Sequence, residues 1–246
     1  MAVATKMPAM PSDDTDRLGR LLARHQDLHD PVREPRNGLR WLPELRRWQA
    51  ARLKASFRHF MHDPQRAPAA EFFLSDVYGD RDFTRRNADI ARVVPMMRRL
   101  LPKKLLGTVA DAIELGVVTQ TLDLGMAEAL ESLAPRRRRL DEALYGEAYR
   151  RVGQEKQRQR QIALIGRVGR GFGKALQIPG VAALLAFSRG PAKLAGLGEL
   201  QGFLERGYAA FESLGDAAAF VDEIERDERE VSRRLFAGED APFAFS

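Results

Sequence analysis

A chain of 246 residues, 44% of them hydrophobic, can bury a sizeable core as one large domain or two small ones. It has no cysteine, which excludes a disulfide scaffold, a cysteine nucleophile and thiolate metal sites, and is compatible with a reducing cytoplasm, the expected location. The net charge of +6 is concentrated: Arg136 to Lys174 holds 12 basic and 4 acidic residues, and the rest is slightly acidic. Such a segment suits phosphate, an anionic membrane, an acidic partner or the solvated side of a long helix.

Residues 1–12 carry one lysine and no apolar h-region, so they read as a loose tail rather than a signal peptide. Leu18, Leu21, Leu22 and Leu28 outline a first helix, capped by Asp13 or Asp14. A loop at Pro31, Pro35, Asn37 and Gly38 leads to a long second helix from Trp41 to Met61, which Asp63 and Pro64 end. Pro68 and Glu71 suit the first turn of a short third helix, in which Phe73 and Val77 lie one turn apart and Gly79 supplies the stop. A further helix starts at Asp82 or Thr84, and Pro95 is expected to kink its stripe of Ile90, Val93, Val94, Met97, Leu100 and Leu101.

Pro102 opens a helix with Leu105, Leu106, Val109 and Ile113, and Leu122, Met126, Leu130 and Leu133 mark another. Ala134 and Pro135 separate an N-terminal helical half, 13–135, from a C-terminal half, 136–236, which carries the basic segment. That second half reads as a basic helix from Leu140, an amphipathic glycine-interrupted stretch from Gln161 to Ile178, and an apolar helix at Val181–Phe187, broken by Arg189, Gly190 and Pro191. Two last helices follow, one with Phe203 and Phe211, the other with Phe220, Ile224, Val231 and Leu235; residues 237–246 read as a second tail. No strand alternation is found, so the fold expected is all-α, an irregular multi-helix bundle of about eight to ten helices with no sheet. Ala175 to Ser188 is uncharged but shorter than the roughly 20 apolar residues of a spanning helix.

The most distinctive run is Glu71 to Pro95. Phe72, Phe73, Leu74 and Tyr78 within it carry a resemblance to the FFLEELY-motif family of helical bacterial proteins, with Ser75 and Asp76 in place of the two glutamates and Val77 in place of the leucine. The resemblance implies a helical class and no reaction. Phe72, Phe73, Leu74, Tyr78 and Phe83 read as core anchors rather than a cofactor box.

Recognisable catalytic spacing is missing. Glu-x-x-His, His-Glu-x-x-His, Gly-x-Ser-x-Gly and the Walker pattern do not occur. Asp111 and Glu114 form a one-face acidic pair, read as exposed polar surface. Gly169-Arg170-Gly171-Phe172-Gly173 departs from the dinucleotide pattern, and on a helix Gly166, Gly169 and Gly173 share one stripe that admits a close neighbour. Arg81, Thr84, Arg85 and Arg86 gather at a helix start and are the candidate anion site, unless Glu71, Asp80 and Asp82 neutralise the arginines. Arg136, Arg137, Arg138, Arg139, Arg150 and Arg151 form a basic surface that Lys156, Arg158 and Arg160 extend, with few aromatics for nucleic acid and an acidic last helix as internal counter-charge.

The function expected is that of a soluble all-helical binding or interaction protein without catalytic activity, taking a protein partner or a small apolar ligand and requiring no cofactor. One alternative is an enzyme or sensor with a haem-like cofactor in the bundle core, His59 as its ligand among Phe57, Phe60 and Met61. The other is a peripheral membrane-binding protein using residues 161–187. Nucleic-acid binding is disfavoured.

Overall fold

The computed structural model describes residues 13–77 and 103–244. Among them are nine α-helices and no strand: α1 Asp13–His29, α2 Trp41–Ser56, α3 Ala67–Phe72, α4 Lys103–Leu133, α5 Glu142–Val152, α6 Glu155–Leu176, α7 Val181–Leu194, α8 Gly198–Glu212 and α9 Ala217–Ala237. The all-α expectation holds. The helix expected around Pro95 and the tail 1–12 lie outside the described residues.

The central element is α4, one 31-residue helix where two were expected. No proline interrupts it, and its apolar residues point several ways, so it is buried from several sides. Ala110, Ile113, Leu122, Leu124, Met126 and Leu130 are all buried, and α1, α2, α5 and α6 pack around it. Two main cores result. The first joins Leu28, Trp41, Leu45, Met126, Leu130, Tyr145 and Leu235; the second joins Phe57, Phe60, Phe73, Ile165, Phe211 and Phe220. Each draws on both sides of Ala134–Pro135, so that boundary divides the sequence and not the packing.

Three local outcomes differ from the periodicity. After Ser56 the second helix tightens to 3-10 geometry over Phe57–His62. The signature helix α3 instead widens to a π turn over Phe73–Val77. Phe72 and Phe73 are buried, Phe73 against Phe211 and Phe220 at ring-centroid distances of 5.9 and 6.1 Å. Asp76, which departs from the motif, is also buried and accepts from Arg206 Nε at 2.9 Å. The break expected at Arg189–Pro191 does not occur: α7 continues to Leu194 with Pro191 inside it. The proline cannot donate to the Phe187 carbonyl, but Phe187 is exposed, so water can take that bond.

Aspartates start two helices, Asp141 accepting from Leu144 N and Asp216 from Ala219 N, each at 2.9 Å. Gly153 and Gly238 end them in left-handed geometry, φ 62 and 70. Beyond Gly238 the chain is not a free tail as far as Ala244. Phe243 packs edge-on to Trp48 at 5.5 Å, and Arg234 Nη1 donates to the Ala244 carbonyl at 2.5 Å.

Helix α6 lies between α4 and α9, and its glycines explain how. A Cβ on Gly169 would stand 2.6 Å from Val221 Cγ2, one on Gly173 3.2 Å from Ala217 Cβ, and one on Gly166 would run into the Glu225 carboxylate. The expected stripe therefore meets α9 at residues four apart, antiparallel and close. Arg170 closes the seam by pairing with Asp222 and Glu225 at 2.5 and 3.0 Å.

Candidate functional site

Two regions stand out from this framework, a polar chamber inside the bundle and an apolar helix outside it. The chamber lies between α2, α4, α5, α6 and α9 and encloses about 80 Å3. Arg52 and Glu228 form a paired charge across it: Arg52 Nη1 and Nη2 donate to the two oxygens of Glu228, Nη2 at 3.0 Å. Burial acts to lower the Arg52 pKa, but Glu228 more than offsets this and the guanidinium is held above its ordinary value.

Asp123 is buried in the α4 wall and accepts from Gln49 Nε2 at 3.1 Å. Burial pushes its carboxyl up, and the opposing influence of Arg158, Gln49 and Arg46 is smaller. Tyr149 donates to or accepts from Ser232 Oγ at 2.9 Å, and burial pushes its hydroxyl up to about 12. Gln161 donates to Thr119 Oγ1 at 2.8 Å and accepts from Arg158 Nη1 at 3.2 Å. Arg158 itself is only 6% exposed, its guanidinium lying 4.6 Å from the Tyr149 ring centroid. Its Nη2 and the Nε of Arg52 are buried without a hydrogen-bond partner.

The second region is α7, which buries no residue. Leu184, Phe187 and Leu194 are 62%, 82% and 92% exposed. At about 100° per residue, they share an arc of about 100° with Ala183 and Pro191. The inner side, with Val181, Leu185, Ser188 and Ala192 half-buried, rests on α8. That contact is largely polar: Gln201 Nε2 donates to the Leu185 carbonyl at 2.7 Å, Ser188 Oγ donates to Gln201 Oε1 at 3.1 Å, and Arg189 pairs with Glu205 at 2.9 Å.

The residues singled out by sequence are scattered. Arg81, Thr84, Arg85 and Arg86 lie outside the described residues. Arg136, Arg137, Arg138 and Arg139 are exposed on the loop before α5, with Arg137 pairing to Asp141 at 2.6 Å. Arg150 and Arg151 are exposed on α5 and donate to the Leu235 carbonyl at 3.2 Å and to Ser132 Oγ at 3.3 Å. Arg158, grouped with that surface by its place in the sequence, is corrected to the interior: it lies on the α6 stripe of Ile162, Ile165 and Gly169. Asp111 and Glu114 are likewise not free polar surface. Asp111 pairs with Arg17 and Arg167, and Glu114 with Arg17 and Arg160, at 2.5 to 3.1 Å.

His59 stands at the surface rather than in the bundle core, Nδ1 3.0 Å from the Ser56 carbonyl and Nε2 3.2 Å from Glu223 Oε1. With Glu223 and Asp227 it makes a group whose ligand atoms lie within 4.8 Å of one another, but Arg66 already pairs with Glu223 at 2.8 Å and opposes a cation there. His25 and His29 stack on one another at 4.2 Å beside α4, and burial lowers the His29 pKa. The chamber is far below the roughly 300 Å3 at which small-molecule pockets begin, too small for a haem. Another hollow, of about 480 Å3, is an open charged groove along α9 between Asp222 and Arg233.

No single helix among the described residues is long and apolar enough to cross a membrane. Helices α6 and α7 reach that length and composition only as a pair bent by 95°, and α6 is already packed between α4 and α9. No curated protein and no solved structure matches the chain. Residues 28–242, from the end of α1 through all of α9, match the family described as Domain of unknown function (DUF8198), and the chain belongs to that family.

Proposed function

We propose that the chain is a binding protein, with no chemistry of its own, that docks through the outward face of α7 into an apolar groove of a protein partner. The observation that carries this reading is that α7 turns Leu184, Phe187 and Leu194 to solvent while burying nothing. With Pro191 these residues recur at i, i+3, i+7 and i+10, the spacing by which one helix face reads a groove. No charged residue falls in that arc, so docking would desolvate apolar surface without stranding a charge. The same reading keeps the resemblance of Phe72–Tyr78 to the FFLEELY-motif family, supported by the core positions of Phe72 and Phe73, and places the protein in a bacterial cytoplasm.

A second reading is peripheral membrane binding. It is favoured by the absence of any acidic residue between Glu155 and Glu199, with Lys174, Arg189 and Lys193 flanking the apolar face. A photoreactive phenylalanine at position 187, and at exposed Arg58 as control, separates the two in cells. A discrete protein adduct at 187 and not at 58 is expected. Lipid adducts alone would favour the membrane, and identical patterns at both positions would overturn docking through α7.

A further inference from the structure

The chamber points to a ligand independently of α7. Arg158 is buried, yet its partners among the described residues are a neutral amide oxygen of Gln161 and the Tyr149 ring, and no carboxylate stands within salt-bridge distance. Buried charges are ordinarily paired, because the desolvation of an unpaired ion is not recovered by neutral contacts. Arg52, the other cation of the chamber, has both terminal nitrogens on Glu228 and keeps its Nε–H unpartnered. Both arginines line one cavity of about 80 Å3, and each keeps one buried N–H, Arg158 Nη2 and Arg52 Nε, without a hydrogen-bond partner.

We propose that this chamber is a binding site for a small planar oxyanion of the carboxylate type, held between Arg158 and Arg52. A guanidinium N–H is a charge-assisted donor whose best acceptor is an anionic oxygen, and two such donors from separate arginines suit the two oxygens of one carboxylate. The space fits an anion of up to about five to eight heavy atoms, since each water-sized probe takes roughly 10 to 15 Å3. Leu53, Ile162, Ile165 and Ile224 are among the apolar residues of the lining, which a hydrogen or methyl on the carboxylate carbon would meet. Formate and acetate fit within that space, and a tricarboxylate such as citrate exceeds it. Asp123 also lines the chamber and acts on Arg158 through space, but its Oδ1 accepts from Gln49 and it forms no salt bridge with either arginine.

The test uses the full chain. [13C]Formate and acetate are titrated at constant ionic strength by calorimetry and NMR. Saturable binding is expected, with Overhauser contacts from the formate proton to the Ile162 or Ile165 methyls, while citrate gives neither. Arg158→Met keeps the stem of the side chain and removes the charge, and it should weaken binding by about tenfold or more, the loss of at least one charge-assisted hydrogen bond. No saturation with either anion would overturn the proposal and leave water as the occupant. So would undiminished affinity in Arg158→Met. If that variant does not fold, the Overhauser contacts in the wild type decide alone: their absence from the chamber methyls overturns the site.

Discussion

Helices α6 and α7 follow one another in the chain and end up in opposite environments, although α6 carries charge at Glu155, Lys156, Arg158, Arg160, Arg167, Arg170 and Lys174 and α7 only at Arg189 and Lys193. Helix α6 sits between α4 and α9 with Ile162, Leu164 and Ile165 buried; among the described residues α7 rests mainly on α8, touches the end of α6 and buries none of its own residues. Apolar content does not explain the outcome, since the more apolar helix is the exposed one. What does is complementarity: the α6 glycines fall where Ala217, Val221 and Glu225 of α9 approach, and Arg170 pairs across the same seam. Helix α7 meets its neighbour through Gln201 and Ser188, leaving its apolar arc unmatched. Each fully buried Leu or Ile of α6 contributes about 1.5 to 3 kcal/mol, a gain that Leu184, Phe187 and Leu194 forgo in the described chain.

The largest effect expected is at the signature aromatic that α9 helps to cover. Phe73→Ala should cost about 3 to 5 kcal/mol, because Phe211 and Phe220 are held by their own helices and cannot close the void. Chemical denaturation gives the number; a loss below about 1 kcal/mol, the size of an ordinary surface change, would mean that the aromatic core relaxes freely.

The seam itself is the next target. Gly169→Ala should destabilise by about 1 to 3 kcal/mol, since the new methyl would meet Val221 on a packed helix, more than the roughly 1 kcal/mol of helix propensity it gains. Gly166→Ala should cost less, because the atom in the way is the end of the flexible Glu225 side chain, which can swing aside at the loss of a half-buried pairing with Arg170. Equal costs at the two glycines would break the account of α6 as held by backbone approach to α9.

Much of this was legible in the sequence. The helical periodicity gave the fold class, the spacing of Gly166, Gly169 and Gly173 gave a close helix neighbour, and Phe73 read as core. The missed features have identifiable causes. Leu105 to Ile113 and Leu122 to Leu133 read as the stripes of two helices where α4 is one, because periodicity marks a buried face but not whether the next turn continues. Arg158 was counted by neighbourhood with surface arginines, although its distances of four and seven residues from Ile162 and Ile165 place it on the inner stripe. Asp123, flanked by Leu122 and Leu124 in an apolar helix, was the other available signal for the chamber. Arg52 and Glu228 lie far apart in sequence and are brought together only by packing, so no spacing could have linked them. Pro191 misled because an exposed helix tolerates what a buried one does not.

A smaller effect, with opposite signs in two places, distinguishes the chamber from the outer ion network. Burial holds the folded-state pKa of Asp123 above its ordinary value, so folding favours its neutral form. Its contribution is lost as pH rises from the ordinary carboxylate value near 3.9 through the raised one. The stability of Asp123→Asn relative to wild type should therefore increase over that window. Burial also acts to raise Glu114, but hydrogen bonds from Arg17 and Arg160 outweigh it and hold the carboxyl below its usual range. Glu114→Gln should thus be less stable than wild type at neutral pH, with the deficit shrinking as pH falls through the lowered value. Denaturation of each variant from pH 3 to 8, the range on the order of these carboxylate values, gives the two slopes; the same sign for both would contradict the burial of Asp123.

The smallest stability effect is expected on α7, where it is also the most telling. Phe187 is 82% exposed, so Phe187→Ser should leave the free energy of unfolding within about 0.5 kcal/mol of wild type. Leu164→Ala, one helix earlier at a fully buried position, should cost about 2 to 5 kcal/mol. Measured side by side, the pair compares a face covered by this chain with one left for a partner. A loss of more than about 1 kcal/mol for Phe187→Ser, a core-like value, would mean that part of the same chain covers α7. Its outward arc would then belong to the core, and docking through it would fail with the comparison.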